Sequence, residues 1–162
     1  MCLVERVMQK IGIGDTIPTM TFETTNKSIT SFADLKGKNF VLFFYPKDNT
    51  PGCTLESKDF RDLNLEFSKI NTPIIGVSRD SIGSHEKFCS KFSLPFPLIS
   101  DKDEKVCQAF GVIIEKNMFA RLVLGIDRST FLIDKKGIVK QVWRKVKVKG
   151  HAQEVLEAAK NL

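Results

Sequence analysis

Apolar runs of strand length alternate with amphipathic helical stretches along this 162-residue chain, a pattern that predicts an α/β domain. Three observations carry the reading. Phe40-Val-Leu-Phe-Phe-Tyr45 and Ile74-Ile-Gly-Val77 are continuous apolar runs of the kind buried inside a sheet. After each run, residues 54–70 and 84–92 repeat their apolar positions mostly at helical spacing. Near the C-terminus, Ser129–Ile133 and Val139–Arg144 flank the turn Asp134-Lys-Lys-Gly137, which reads as a hairpin.

Taken in order, Gly14 to Phe32 reads as a loop with a small hairpin, Met20–Glu23 against Ser28–Thr30. Ser31 to Gly37 is a helical turn with a glycine stop. Pro46, Pro51 and Gly52 end the first apolar strand, and a long helix is expected from Thr54 to Ile70 through Leu55, Phe60, Leu63 and Phe67. A helix over Ser84–Phe92 follows the second strand and stops before Leu94-Pro-Phe-Pro97. A short helix spans Lys105–Phe110, and Ile113 to Gly125 carries no clear pattern. His151–Leu162 closes the chain as an amphipathic helix with Val155, Leu156 and Ala159 on one face. No linker, repeat or low-complexity tract divides these elements, so residues 1–162 are expected to form one domain.

Hydrophobic residues make up 42% of the chain and charged residues 27%, which places it among soluble globular proteins. No run approaches the ~18 apolar residues a membrane span needs. The first ten residues include Glu5 and no uninterrupted apolar region, so they do not read as a signal peptide. With few, widely spaced cysteines this suggests a reducing, cytoplasmic setting. The net charge is +6, and much of the excess lies between Lys135 and Lys149. Val139, Val142, Val146 and Val148 partly alternate with those charges, as on a strand with one wet face. Neither aromatic stacking residues nor a helix-turn-helix accompany them, so no nucleic-acid partner is expected.

Chemistry concentrates on Tyr45-Pro-Lys-Asp-Asn-Thr-Pro-Gly-Cys-Thr-Leu-Glu56. This segment sets Cys53 between a strand end and a helix start. A thiol in a first helical turn meets unpaired N–H groups and the positive end of the macrodipole. Both favour the thiolate, which is the nucleophile. Thr50, three residues earlier, can donate and accept a hydrogen bond near that sulfur or simply cap the helix. Pro46 lacks an N–H and can wall a pocket, whereas Pro51 suits the turn. Glu56 is either a favourable acid in a first helical turn or an acceptor for a nearby cation. No zinc spacing links the cysteines with His85 and His151, which read as helix-start or surface residues.

The string around Cys53 contains Pro46-x-x-x-Thr50-x-x-Cys53 and resembles the peroxidatic motif of the peroxiredoxins. It is similar in particular to the Q type, also called bacterioferritin comigratory protein. The likeness continues through Leu94–Asp101, Val106–Val112, Arg128–Asp134 and Lys145–His151. It implies a thioredoxin-like fold, with a central mixed β-sheet flanked by helices and an N-terminal hairpin extension. It also implies a thiol peroxidase of antioxidant defence, in which Cys53 reduces hydrogen peroxide and organic hydroperoxides and a thioredoxin-type reductant restores it. Arg128 would then point at the thiolate, lowering its pKa and steadying charge on the peroxide oxygens. Lys58 occupies the position of the commonest resolving cysteine. Cys89, 36 residues after Cys53, matches a second arrangement, with an intramolecular disulfide. Helix geometry sets Cys89 about 100° from Phe88, toward a partly exposed flank. Since a disulfide needs Cα atoms within about 7 Å, the turn after Cys53 and the Cys89 helix are expected to unwind.

Cys107 is expected to be structural, and Cys2 incidental on a mobile terminus. The resemblance implies no metal, haem or flavin, and a monomer is expected. Departures from the pattern are Asn49, where an acidic residue is frequent, and Ile113-Ile114 in place of a common Trp-Gly pair. Two other readings stay open. One is a one-cysteine peroxidase resolved by an external thiol. The other is a non-catalytic thioredoxin-like binding module, which would not need Cys53.

Overall fold

The computed structural model describes residues 11–162. Cys2 and the N-terminal leader question lie outside them. Strands are β1 (Glu23–Thr24), β2 (Phe40–Phe44), β3 (Ile74–Ser78), β4 (Leu98–Ser100), β5 (Ile113–Met118), β6 (Arg121–Ile126), β7 (Ser129–Ile133) and β8 (Val139–Trp143). Helices are α1 (Pro51–Lys69), α2 (Ile82–Phe92), α3 (Lys105–Ala109) and α4 (His151–Lys160), with a 3₁₀ turn at Phe32–Leu35. A six-stranded sheet runs β1-β4-β3-β2-β7-β8, and β5 pairs only with β6. β2, β3 and β4 are parallel, whereas β1, β7 and β8 join antiparallel.

The central strands are buried on both faces, which explains their unbroken apolar sequences. Successive side chains of β2 point to opposite sides. Phe40, Leu42 and Phe44 enter one core with Phe110, Phe131, Ile133 and Val106. Val41, Phe43 and Tyr45 enter the other with Phe60, Phe67, Phe88, Val155 and Leu156 of α1, α2 and α4. Gly76 of β3 is required here, because a Cβ would sit 2.7 Å from Leu98 Cδ2 and 3.0 Å from Phe43 Cζ. The freed space lets Phe43 stack on Phe60 of α1 at 4.7 Å, which seats that helix against the sheet.

The expected layout is present, with differences at particular places. The N-terminal hairpin is reduced to the Thr21–Ser31 bridge and a Phe22 N–H to Thr30 O bond, because Glu23–Thr24 pairs instead with β4. Helix α1 starts at Pro51 rather than Thr54, since proline fits a first helical position. Residues 113–126, without a clear pattern in the sequence, form the β5–β6 hairpin. Lys145, Lys147 and Lys149 are exposed while Val146 and Val148 are half-buried, the solvated arrangement expected there. Among the described residues no helix is long and apolar enough to cross a membrane.

Candidate active site

Register brings the site together. β2 and β7 run antiparallel with Phe44 opposite Ser129, so Arg128, one residue before β7, lies beside the loop leaving β2. That loop turns through Asn49 in a left-handed conformation (φ 59°) and enters α1 with extended Thr50 as its N-cap. Pro51, Gly52 and Cys53 form the first turn, and the first intrahelical bond runs from Thr54 N–H to Thr50 O at 2.8 Å. The N–H groups of Gly52 and Cys53 therefore have no acceptor within the helix and face its N-terminal end.

Cys53 is 1% exposed, and its Sγ accepts a bond from Arg128 Nη2 at 3.4 Å. Arg128 Nη1 donates to Glu56 Oε1 at 2.7 Å, one helical turn after Cys53. Of the two roles the sequence left open for Glu56, the structure shows the cation acceptor. It is 1% exposed, so burial pushes its carboxyl up to about 7, with Arg128 opposing and Asp59 adding to the rise. Its second oxygen, Oε2, is buried without a hydrogen-bond partner. Gly52 is a site residue that the sequence marked only as a turn breaker. A Cβ there would lie 3.1 Å from Arg128 Nη2, so glycine makes room for the guanidinium.

Behind the arginine, Val146 N–H donates to Arg128 O at 3.0 Å, and Lys145 N–H to Asp127 Oδ1 at 3.1 Å. Lys145 and Val146 thus clamp the backbone at Asp127–Arg128. Thr50 Oγ1 donates to Lys47 O at 2.8 Å, leaving its lone pairs as acceptors. Pro46 is half-buried at the end of β2.

His85 lies in the first turn of α2 and His151 begins α4, but both are buried rather than on the surface. His151 Nε2 lies 2.7 Å from Thr130 Oγ1, and its ring meets Phe60 edge-on. Burial pulls its pKa down to about 4, with Glu154 opposing. His85 Nε2 lies 2.9 Å from Ile99 O, a pure acceptor, and Nδ1 lies 2.7 Å from Asp48 Oδ2. One proton therefore lies between Asp48 and His85. Asp48 also accepts from Tyr45 Oη (2.6 Å) and Ser84 Oγ (2.8 Å), while its N–H donates to Asp80 Oδ2 at 2.9 Å. Ligand-type atoms of Asp48, Asp80 and His85 lie within 4.8 Å of one another, yet these bonds already occupy them. The cluster is a brace joining the Cys53 loop to α2. None of these partners is near in sequence to the histidine it holds.

Cys89, on α2, is half-buried at a groove with Thr25, Asn26 and Leu94–Pro97. Burial pushes its thiol up to about 11, and the Asp48 carboxylate adds to the rise. Cys53, Cys89 and Cys107 are all free thiols, so this is a reduced form in which Cys53 and Cys89 are not bonded. Cys107 is fully buried.

Residues 13–142 match the AhpC/TSA family. Peroxiredoxin Bcp of Xanthomonas campestris is 51% identical over 148 residues, covering 89% of this chain and 92% of that protein. The same organism's bacterioferritin comigratory protein, from a structural study of its alkyl peroxide reduction activity, superposes with a TM-score of 0.83. It shares 46% identity over 91% of this chain and 98% of that one. Two structures of its peroxiredoxin Q, with TM-scores of 0.84 and 0.82 at 51% and 50% identity, cover 88% of this chain and 90% of theirs. They are single cysteine-to-serine mutants at positions 36 residues apart, the spacing of Cys53 and Cys89. With a family match over most of its length and half its residues shared with such a relative, the chain belongs to the AhpC/TSA family, among the peroxiredoxins of the Bcp/Q kind.

Proposed function

We propose that Cys53 is the peroxidatic cysteine of a thiol peroxidase acting on hydrogen peroxide and alkyl hydroperoxides, with Cys89 resolving it. The observation that carries this is the Arg128 guanidinium bonded to a sulfur in the first turn of α1, in a chain of this family. The thiolate attacks the peroxide O–O bond, one oxygen stays on sulfur as sulfenic acid, and the other leaves as water or alcohol. Arg128 and the free N–H groups of Gly52 and Cys53 face charge developing on the peroxide oxygens. The Thr50 hydroxyl, its proton committed to Lys47 O, accepts from the peroxide O–H. Pro46 closes one wall, and Glu56 holds Arg128 in plane.

The sulfenic acid is then displaced by Cys89, water leaves, and a thioredoxin-type dithiol reduces the disulfide. The raised pKa of Cys89 keeps it an idle thiol while α2 is folded. Local unwinding of α1 and α2 exposes both sulfurs and returns the Cys89 thiol toward its ordinary range. The likeness of spacing to the two mutated cysteines of the Xanthomonas campestris protein supports the pairing.

The test combines stopped-flow peroxide consumption with mass spectrometry. Wild type should form a Cys53–Cys89 disulfide, Cys89→Ser should stop at sulfenic acid, and Cys53→Ser should consume no peroxide. Thioredoxin-driven turnover that survives Cys89→Ser would replace the resolving role with an external thiol. Peroxide consumption that survives Cys53→Ser would end the whole reading.

A further inference from the structure

We propose that Cys53 and Glu56 share a single negative charge through Arg128, which sits on sulfur before peroxide arrives and on the carboxylate afterwards. This rests on the peroxidatic reading of Cys53 and adds a proton-balancing role for Glu56. The geometry is one cation with two groups able to be anions. Arg128 offers Nη1 to Glu56 Oε1 at 2.7 Å and Nη2 to Cys53 Sγ at 3.4 Å. Both partners are 1% exposed. Ionising both would leave an uncompensated charge away from water, which drives one group to keep its proton.

Three further observations select Glu56 as the group that keeps it. Glu56 Oε2 is buried with no donor, a heavier penalty for a carboxylate than for a neutral acid. Asp59, farther along the same helix, adds negative charge. From α4, the only titratable ring near Arg128 is His151, which burial holds uncharged near neutral pH. No second cation among these groups compensates Glu56, and its carboxyl accordingly titrates near 7.

The reaction then balances inside the site. Sulfur supplies the electron pair for the new S–O bond, and the O–O bond breaks. The departing oxygen takes one proton, and sulfur loses its charge. Arg128 is left facing a neutral sulfenic acid, so Glu56 releases its proton and pairs with the guanidinium. The proton released equals the proton taken up, and the buried trio carries no net charge before or after the step. The disulfide step changes nothing in this count, because the Cys89 thiol proton leaves with the sulfenic hydroxyl as water.

Proton counting tests this. Reduced protein is mixed with peroxide near neutral pH in weak buffer with an indicator dye. Wild type should take up no net proton per Cys53 oxidised. Glu56→Gln keeps an oxygen acceptor for Arg128 but has no proton to release, so it should take up one. Equal stoichiometry in the two proteins overturns the proposal. Infrared difference spectra of the wild type alone should lose the carbonyl band of a protonated carboxyl group on oxidation; retention of that band overturns it as well. Wild-type Cys53 that stays reduced under peroxide refutes the peroxidatic reading itself, and the proposal with it.

Discussion

Glu56→Gln should change how folding stability depends on pH, by an amount that follows from burial. The carboxyl titrates near 4.5 in an unfolded chain and near 7 in the folded one. Below about pH 4.5 both states hold the proton, so glutamic acid and its neutral amide isostere should stabilise the fold alike. Between 4.5 and 7 the unfolded state ionises while the folded state retains its proton. Wild-type stability therefore falls as pH rises through that window and levels off above it. At about 1.36 kcal/mol per pKa unit, the difference between variant and wild type should grow from near zero to about 3 kcal/mol in favour of the glutamine. For a chain of this length that is roughly 6–12 °C in melting temperature. Urea unfolding of both proteins under reducing conditions, from pH 4 to 8, gives the difference curve. A flat curve would mean that Glu56 ionises like an exposed carboxylate, and the argument from burial would be wrong.

Other perturbations separate stability from chemistry. Gly52→Ala places a Cβ 3.1 Å from Arg128 Nη2 in the first turn of α1. That crowds the guanidinium, so the peroxide rate should fall; a rate equal to wild type would contradict the packing account. Arg128→Met should slow the peroxide step by about 10²–10³-fold. It also removes the cation that opposes burial at Glu56, so that carboxyl should keep its proton to higher pH than in the wild type, and stability relative to the wild type should fall as pH rises above about 7. His85→Ala leaves Asp48 buried without the ring nitrogen it bonds, and chemical unfolding should register a loss of about 1–3 kcal/mol. His151 is buried with a lowered pKa, so its contribution should be present above pH 6.5 and lost as pH falls toward about 4. That slope is opposite in sign to the Glu56 slope, and acid melts of Glu56→Gln should reveal it more clearly than those of wild type.

What the sequence could and could not specify follows from how local each feature is. The β2 strand, the helix after Cys53 and the β7–β8 hairpin all announce themselves through period and turn residues within a short window. The β5–β6 hairpin does not. Its turn uses Phe119 and Ala120, both in the left-handed region (φ 52° and 62°), where glycine or asparagine would have been the signal. Leu122, Val123 and Leu124 are all exposed, so the strand shows no alternation between wet and dry faces. The strands β1 and β4 have two and three residues, too short for a period to register. Both histidines looked like surface residues because nothing nearby could satisfy them. Their partners, Asp48 and Thr130, stand 37 and 21 positions away.

The catalytic trio divides in the same way. Cys53 and Glu56 are one helical turn apart, so any helix starting near Pro51 places them together. Arg128 is 75 residues from Cys53, and only the β2–β7 register joins them. A slip of one residue in that pairing would turn every β7 side chain to the opposite face, and would move the arginine off the mouth of the Cys53 loop. The register is held by β7 side chains that alternate between the two cores, Phe131 and Ile133 entering one and Leu132 the other. Five consecutive buried residues on each strand, the polar Ser129 and Thr130 of β7 included, leave no exposed position to mark which face is which. The apolar pattern thus predicts that β2 and β7 lie inside a sheet, while their offset depends on the shapes of both cores. The sulfur's cation is consequently placed by packing that lies outside every active-site motif.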